Sequence, residues 1–232
     1  MTTRKESFVS GEYYHIYNRG NSKQKIFLNN QDKDRFARLL YLCNSTKNIN
    51  FRDDIVKKKI DVWDFNRSDS LVSIGAWVLM PNHFHLYISP SPRVPLGQEG
   101  DKMVSLFMGK LMTAYSMYFN KKHGRTGTLF EGPFKSVHIE NDEQAKYLFS
   151  YIHLNPIKLI DPKWKESGIK NIKKSIKFLD NYKWSSFVDI KGIERPESKI
   201  LSIADFPKYF RDKKAFEEEI FEWINFNNSN QP

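Results

Sequence analysis

Two apolar segments, residues 71–80 and 83–88, constrain this chain more than any other feature, because only Pro81-Asn82 separates them. Both segments have the length and the apolar character of β-strands. A proline followed by an asparagine favours a turn or a bulge between two strands. The sequence therefore predicts a buried β-hairpin, around which the rest of the fold must be arranged.

The segments on either side of the hairpin predict alternating strands and helices. Residues 13–17 indicate a first strand, and residues 128–130 and 134–139 indicate a further strand region. Apolar residues at helical spacing predict a first helix, for which Asp32 or Asn30 is the expected N-cap, and a second helix over residues 103–122. Asn141 and Gln144 resemble a capping box for a third helix, which Pro156 ends.

This order of elements predicts an α+β domain with a ferredoxin-like antiparallel sheet and helices packed on one face. We assign residues 1–160 to a catalytic domain, with a polar surface insertion at about residues 44–70. Residues 161–232 form a C-terminal extension, whose residues 213–226 have the pattern of an amphipathic helix. The chain thus combines one compact domain with a helical addition.

The charge of the chain favours a polyanionic partner. Lys and Arg number 37 against 27 Asp and Glu, which gives a formal net charge of +10. Such an excess attracts nucleic acid through its phosphates. No stretch approaches the ~20 apolar residues of a spanning helix, and the N-terminus does not resemble a secretory signal, so we expect no membrane association and a cytoplasmic location. Cys43 is the only cysteine, which excludes an intrachain disulfide.

The second strand of the hairpin begins with His83-Phe84-His85. Successive side chains of a strand point to opposite faces, so the two imidazoles share one face and lie side by side. Neutral imidazoles so placed are suited to hold one metal ion. Two unrelated histidines at the sheet surface would give the same spacing, so the metal interpretation requires a further ligand from elsewhere.

The third helix carries a row of polar side chains beside its apolar face. Tyr147, Tyr151 and Asn155 follow one another at intervals of four residues. A tyrosine can act as a covalent nucleophile, although its reference pKa near 10 means that it needs activation. A helix with this row alone would more often be structural. His153 points roughly 200° away from Tyr151 and is expected to have a structural role.

Taken together, these motifs resemble the HUH-type single-tyrosine transposases, and most of all the REP-associated tyrosine transposases. The resemblance rests on five segments that span about three quarters of the chain. They are Tyr14-His15-Ile16-Tyr17-Asn18-Arg19-Gly20, the segment from Met80 to Ile88, the segment from Tyr118 to Ser136, Tyr151-Ile152-His153-Leu154-Asn155-Pro156, and Tyr182-Lys183-Trp184-Ser185-Ser186-Phe187. Pro133 departs from the family, which usually has a basic residue at this place.

The resemblance implies an enzyme that nicks and joins single-stranded DNA. It makes His83, His85 and Asn155 ligands of a divalent metal, Mg²⁺ or Mn²⁺. It makes Tyr151 the nucleophile that attacks a backbone phosphate and leaves a 5′-phosphotyrosine bond and a free 3′ hydroxyl. The expected partner is single-stranded or hairpin DNA, and members of the family act as monomers or as homodimers.

Basic and aromatic residues in or near these motifs could contact the DNA. Basic side chains could hold phosphates, while Tyr17, Phe130 and Trp184 could stack on bases. Each of them could equally be an ordinary surface charge or a core aromatic. The basic candidates are Arg19, Lys121, Lys122, Arg125, Lys135 and Lys158.

Three other functions fit part of the pattern. A non-catalytic nucleic-acid-binding module would need only the sheet and the basic surface. An HUH nickase of the replication-initiator or relaxase kind would share the two histidines, but not the sequence around Tyr151. A metallohydrolase would use a bound water instead of the tyrosine. A covalent protein–DNA adduct separates the tyrosine enzymes from the other two classes.

Overall fold

A computed structural model describes residues 7–93, 100–208, 214–216, 218 and 220. Its strands are β1 (Tyr13–Arg19), β2 (Val72–Met80), β3 (His83–Pro90) and β4 (Lys135–Ile139). They form one antiparallel sheet in the order β2-β3-β1-β4. Helix α1 (Asn30–Cys43) connects β1 to β2, and helix α2 (Gly100–Lys122) lies between β3 and β4. This is the ferredoxin-like α+β arrangement that the sequence predicts.

Strands β2 and β3 form the predicted hairpin. Met80 pairs with His83 across Pro81-Asn82, and every residue of β2 is buried. A strand that is buried throughout must be covered on both faces of the sheet. The long apolar segment at residues 71–80 is explained by the burial of β2 on both faces of the sheet.

Helices α1 and α2 pack on one face of the sheet, against side chains such as Phe84 and Ile88. The N-cap of α1 is Asn29, not Asn30 or Asp32 as the sequence suggested. Asp32 is instead the third residue of the helix, where its carboxylate accepts the N–H of Leu28 and of Asn29. The predicted cap was therefore misplaced by one to three residues, because Asp32 completes a capping box with Asn29.

The opposite face is covered by α3 (Asp142–Leu154), which begins at the predicted cap. The side chain of Asn141 accepts the N–H of Gln144, at 2.9 Å. Apolar residues of α3 then pack on the sheet beside Val78 and Tyr87. The polar row of α3 is thereby placed next to the face that carries His83 and His85.

The C-terminal extension packs on the same face as α3. It contains the helices α4 (Trp164–Ser167), α5 (Ile172–Asn181) and α6 (Phe187–Ile190). Between α5 and α6 the chain runs along the edge of β2, where Leu79 N–H donates to Trp184 O and Ser186 N–H donates to Trp77 O. This pairing protects an edge that would otherwise present unpaired backbone groups.

Two further segments complete the description. Residues 44–70 include short helical turns at Phe51–Val56 and Val62–Asp64, and Ile55, Val62 and Trp63 are buried against the domain. Most of the expected helix at residues 213–226 lies outside the described residues, although 214–216, 218 and 220 are helical. Within the described ranges, no helix has the length and the apolar run that crossing a membrane requires.

Candidate metal and tyrosine site

Three histidines from two neighbouring strands meet on the face of the sheet that α3 covers. His83 and His85 lie on β3, and β1 places Tyr17 opposite His85. His15, two residues before Tyr17, projects from the same face of β1. The His85 ring centroid lies 5.0 Å from that of His83 and 5.0 Å from that of His15. The alternation of side chains in paired strands thus produces an imidazole cluster.

The Nδ1 atoms of the two predicted histidine ligands, His83 and His85, each take part in a hydrogen bond. His83 Nδ1 lies 2.6 Å from the side-chain oxygen of Asn82, and His85 Nδ1 lies 2.8 Å from His15 Nε2. An amide oxygen can only accept, so the His83 Nδ1 carries the proton and its Nε2 keeps a lone pair. Histidines that bind metals commonly donate their second ring nitrogen in this way.

The environment keeps these imidazoles uncharged at neutral pH. The pKa of His83 is lowered to about 4, first by burial and then by the nearby Lys158 and Lys165. Burial lowers the pKa of His85 well below its usual value, with additional effects of His15 and His83. The pKa of His15 is lowered to about 4 by burial. Neutral imidazole is the form that binds a metal ion.

Asn155 directly follows α3 and is 3% exposed. Its side chain lies within hydrogen-bonding reach of both His83 and Tyr151. Its Oδ1 atom is buried and has no hydrogen-bond partner among the described residues. A buried oxygen without a partner costs free energy unless a cation or a water completes its interactions. The site therefore fits a divalent cation held by two imidazole nitrogens and one amide oxygen.

The three side chains that would hold a cation here, those of His83, His85 and Asn155, include no carboxylate. Within the part of the chain that the structure describes, no group of three or more His, Cys, Asp or Glu residues is placed to hold a metal ion. His15 accordingly does not complete a three-histidine metal centre with His83 and His85. The amide of Asn155 is then the oxygen donor that the arrangement offers.

Tyr151 lies over this cluster from α3. Its ring centroid is 5.3 Å from that of His85, at an angle of 74°, and 6.4 Å from that of His15. Burial raises the pKa of Tyr151, while a hydrogen bond with Asn155 opposes this shift. The phenol is therefore protonated at neutral pH, and it requires activation before it can act as a nucleophile.

The environment of Tyr151 differs from those of Tyr147 and His153, the two other polar residues of α3 that the sequence analysis considered. Tyr147 is 49% exposed and stacks on the outer side of Tyr151, at 6.3 Å between centroids. His153 is completely buried, and its ring contacts Phe149 O at 2.8 Å and Ser186 Oγ at 2.7 Å. His153 is thus part of the packing between α3 and the C-terminal extension, as its position on the helix predicts.

Lys165 is a site residue that the sequence reasoning missed. Its ammonium lies 3.8 Å from the ring centroid of Tyr151, and it influences the pKa of both His83 and His85. It belongs to α4, within a lysine-rich stretch in which no spacing distinguishes one lysine from the next. The chain turns after Pro156 and brings α4 next to Tyr151. Only this tertiary contact identifies Lys165 as a site residue.

An open cleft of about 520 Å³ leads to the cluster. It brings together the predicted phosphate contacts Arg19 and Lys158, the aromatic Tyr17 and the two histidines. The guanidinium of Arg19 also pairs with Glu131, whose Oε1 lies 2.7 Å from Arg19 Nη2. The complete lining consists of Tyr17, Asn18, Arg19, Lys23, Met80, Pro81, Asn82, His83, His85, Tyr151, Lys158 and Leu159.

The other basic residues proposed for DNA binding lie elsewhere. Lys122 donates to the buried Asp32, at 2.7 Å, and Arg125 donates to Gln24, at 2.9 Å. Each of these two side chains thus has a hydrogen-bond partner within the domain. Lys121 and Lys135 are exposed, at the end of α2 and on β4.

All three aromatic candidates for base stacking have contacts within the domain. Phe130 is buried in the core beside Phe84, so it cannot stack on a base. The indole N–H of Trp184 donates to Asp34, at 3.1 Å, and the Lys33 ammonium lies 4.0 Å from the Trp184 ring centroid. Tyr17 lines the cleft, and its ring also stacks against that of His15, at 4.9 Å between centroids.

Comparison with known proteins gives likenesses to solved structures alone. No family model matches the chain, and no curated protein matches it. One similar structure is a REP-associated tyrosine transposase bound to a REP hairpin, with a TM-score of 0.46 and 13% identity over 85% of this chain and 90% of that chain. Another is a candidate transposase from Deinococcus radiodurans, with a TM-score of 0.33 and 14% identity over 64% and 92%.

Proposed function

We propose that this chain is a metal-dependent transposase that nicks and joins single-stranded DNA through Tyr151. The observation that carries the proposal is the position of Tyr151, whose ring lies 5.3 Å from that of His85. Beside it stands the buried Asn155 Oδ1, which has no partner among the described residues. A nucleophile next to a cation site is the arrangement that phosphoryl transfer to a tyrosine requires.

Each residue of the site has a distinct part in the proposed reaction. His83, His85 and Asn155 would hold Mg²⁺ or Mn²⁺, which when bound polarises the scissile phosphate and withdraws charge from it. Tyr151 Oη attacks the phosphorus and loses its proton to solvent. The bond from phosphorus to the 3′ oxygen breaks, and that oxygen takes a proton from solvent. The products are a 5′-phosphotyrosine and a free 3′ hydroxyl, and attack by a 3′ hydroxyl reverses the step.

The lysines around the cleft support a DNA backbone as the substrate. Lys158 lines the cleft, and Lys165 lies directly over the Tyr151 ring. Positive charge this close to the tyrosine ring stabilises the phosphate charge that develops in the transition state. Hairpin-bearing single strands are the substrate that we infer from the sequence motifs, and the similar REP-associated transposase is bound to a REP hairpin.

The proposal is tested by trapping covalent DNA. The wild-type protein is incubated with Mn²⁺ and a single-strand library that carries hairpins, and adducts are separated on a denaturing gel and sequenced. We expect adducts with the wild type and none with Tyr151→Phe, which removes the phenolic oxygen but keeps the ring. Tyr147→Phe is the matched control, because Tyr147 lies one turn away on the same row, and it should retain adduct formation.

Other outcomes would assign a different function. A protein that binds the library without forming an adduct is a nucleic-acid-binding module. Cleavage without an adduct indicates attack by water, as in a metallohydrolase. Adduct formation that persists in chelator without added metal, and in both His83→Ala and His85→Ala, would show that the metal assignment is wrong.

A further inference from the structure

His15 occupies a fixed position beside the candidate metal centre without being one of its predicted ligands. Its ring lies between Tyr17, at 4.9 Å and 29°, and His85, at 5.0 Å and 27°. Its Nε2 atom is 2.8 Å from His85 Nδ1. Two ring contacts and one hydrogen bond hold the imidazole in a single orientation.

The short distance between the two ring nitrogens favours a hydrogen bond between them. Metal–nitrogen bonds of roughly 2.0–2.1 Å would place two nitrogens on a tetrahedral ion more than about 3 Å apart. At 2.8 Å, His15 Nε2 and His85 Nδ1 instead share a proton. The contact is a hydrogen bond between the two imidazoles.

The position of that shared proton decides whether His85 can bind a metal ion through Nε2. If His85 Nδ1 donates, the His85 Nε2 keeps its lone pair, as the Asn82 contact dictates for His83. If His15 Nε2 donates, the His85 Nε2 carries the other proton and cannot be a ligand. The pair therefore has one arrangement that is competent to bind a metal and one that is not.

We propose that His15 is a positioning residue of the metal centre, which accepts the Nδ1 proton of His85 and so leaves the His85 Nε2 for the ion. This inference rests on the metal site of the proposed function. His15 acts through His85 and does not itself bind the ion. Its role parallels that of Asn82, which accepts the Nδ1 proton of His83. Each predicted imidazole ligand thus has its own acceptor.

The test compares Mn²⁺ affinity, measured by electron paramagnetic resonance in the absence of DNA, among variants of the full chain. His15→Phe keeps an aromatic ring between Tyr17 and His85 but removes the acceptor. His15→Gln restores an oxygen acceptor near the position of Nε2. The control is His138→Phe on β4, where a histidine pairs with the exposed Glu12. We expect His15→Phe to bind Mn²⁺ about 10–100-fold more weakly, and His15→Gln and His138→Phe to bind it nearly as the wild type does.

The outcomes separate this inference from the proposed function. If His83→Ala and His85→Ala lose Mn²⁺ binding while His15→Phe retains it, His15 has no positioning role and the metal centre stands. If the wild type itself binds no Mn²⁺, both the metal centre and the role of His15 are wrong. A second measurement needs no folded variant: the ¹⁵N chemical shifts of the wild-type imidazoles should show His85 protonated at Nδ1. Protonation at Nε2 of His85 would overturn the inference.

Discussion

At the scale of single residues, the chemistry depends on a phenol that its surroundings keep protonated. Burial raises the pKa of Tyr151, so the free protein holds the nucleophile in its unreactive form. The hydrogen bond of Asn155 lowers the pKa of Tyr151, a bound cation would lower it further, and the Lys165 ammonium brings positive charge to 3.8 Å from the ring centroid. Activation of the tyrosine is thus expected to depend on charge supplied by its neighbours.

Replacing Lys165 tests this dependence. We expect Lys165→Met to slow adduct formation about 10-fold, which corresponds to ~1.4 kcal/mol of transition-state stabilisation. The methionine keeps an apolar side chain over the Tyr151 ring, so the fold should be preserved. The rate is measured in single-turnover reactions with saturating DNA. Lys163→Met, at another exposed lysine of the same segment, should leave the rate unchanged, and an equal effect of both substitutions would assign Lys165 to general attraction of DNA.

The residues that sequence reasoning missed share a physical cause. His15 is one histidine on an aromatic strand, and only the pairing of β1 with β3 places it against His85. Lys165 approaches Tyr151 through a turn that no local pattern encodes. Lys122, which the sequence analysis names as a candidate DNA contact, pairs in the structure with the buried Asp32. Contacts across the fold cannot be read from local spacing.

At the scale of elements, the sequence predicted those strands and helices that have a clear local pattern of apolar residues. The hairpin β2–β3 and the helix α3 are found where alternation and capping indicated them. The start of α1 was missed because Asn29, Asn30 and Asp32 are all capable N-caps, and the choice among them depends on packing. Helices α1 and α2 cover one face of the sheet, as the ferredoxin-like prediction expects. Helix α3 and the C-terminal extension cover the opposite face.

The N-terminus of α1 is tied to the C-terminus of α2 by one buried carboxylate. Asp32 is fully buried and contacts Lys122 at 2.7 Å and His123 at 3.1 Å. Hydrogen bonds from Lys122 and Leu28 hold the pKa of Asp32 below its usual value despite the opposing effect of burial, which is the largest single influence. The stabilisation is therefore present above the unfolded-state pKa of about 4 and is lost as the pH falls through the lower pKa of the folded state.

Removing this carboxylate should loosen both helix ends. We expect Asp32→Ala to lower the free energy of unfolding by about 2–3 kcal/mol at pH 7, because the capping contacts and the pairing of Lys122 are lost together. Urea denaturation followed by circular dichroism measures the change. Asp53→Ala, which removes the exposed partner of Lys57, should cost only about 0–1 kcal/mol. A similar cost for both substitutions would mean that the buried network contributes no more than a surface pair.

At the scale of the whole molecule, burial of neutral histidines couples folding to pH. The pKa of His153 is lowered to about 3 by burial, and those of His15 and His83 are lowered to about 4, also by burial first. An unfolded histidine titrates near 6.5, so between pH 6.5 and 4 the unfolded chain binds more protons than the folded one. Stability therefore falls as the pH falls through this window.

The metal-free protein should show this loss directly. Each histidine that remains neutral when folded contributes at most about 1.4 kcal/mol per pH unit below 6.5. Urea unfolding at pH 7.5, 6 and 5 is expected to give steadily lower free energies. His153→Gln keeps hydrogen-bonding groups near Phe149 and Ser186 but cannot titrate, so its dependence on pH should be shallower than that of the wild type. Equal stability of the wild type at pH 7.5 and pH 5 would contradict the assignment of these imidazoles as neutral.

The proposed reaction attaches Tyr151 covalently to the 5′-phosphate of DNA. Trypsin is expected to cut after Lys146 and Lys158, which leaves Tyr147 and Tyr151 on one peptide. Fragmentation of that peptide by mass spectrometry, after nuclease trimming of the trapped complex, separates the two tyrosines. We expect a nucleotide mass on Tyr151 alone. The same mass on Tyr147, or on a residue of another peptide, would contradict it.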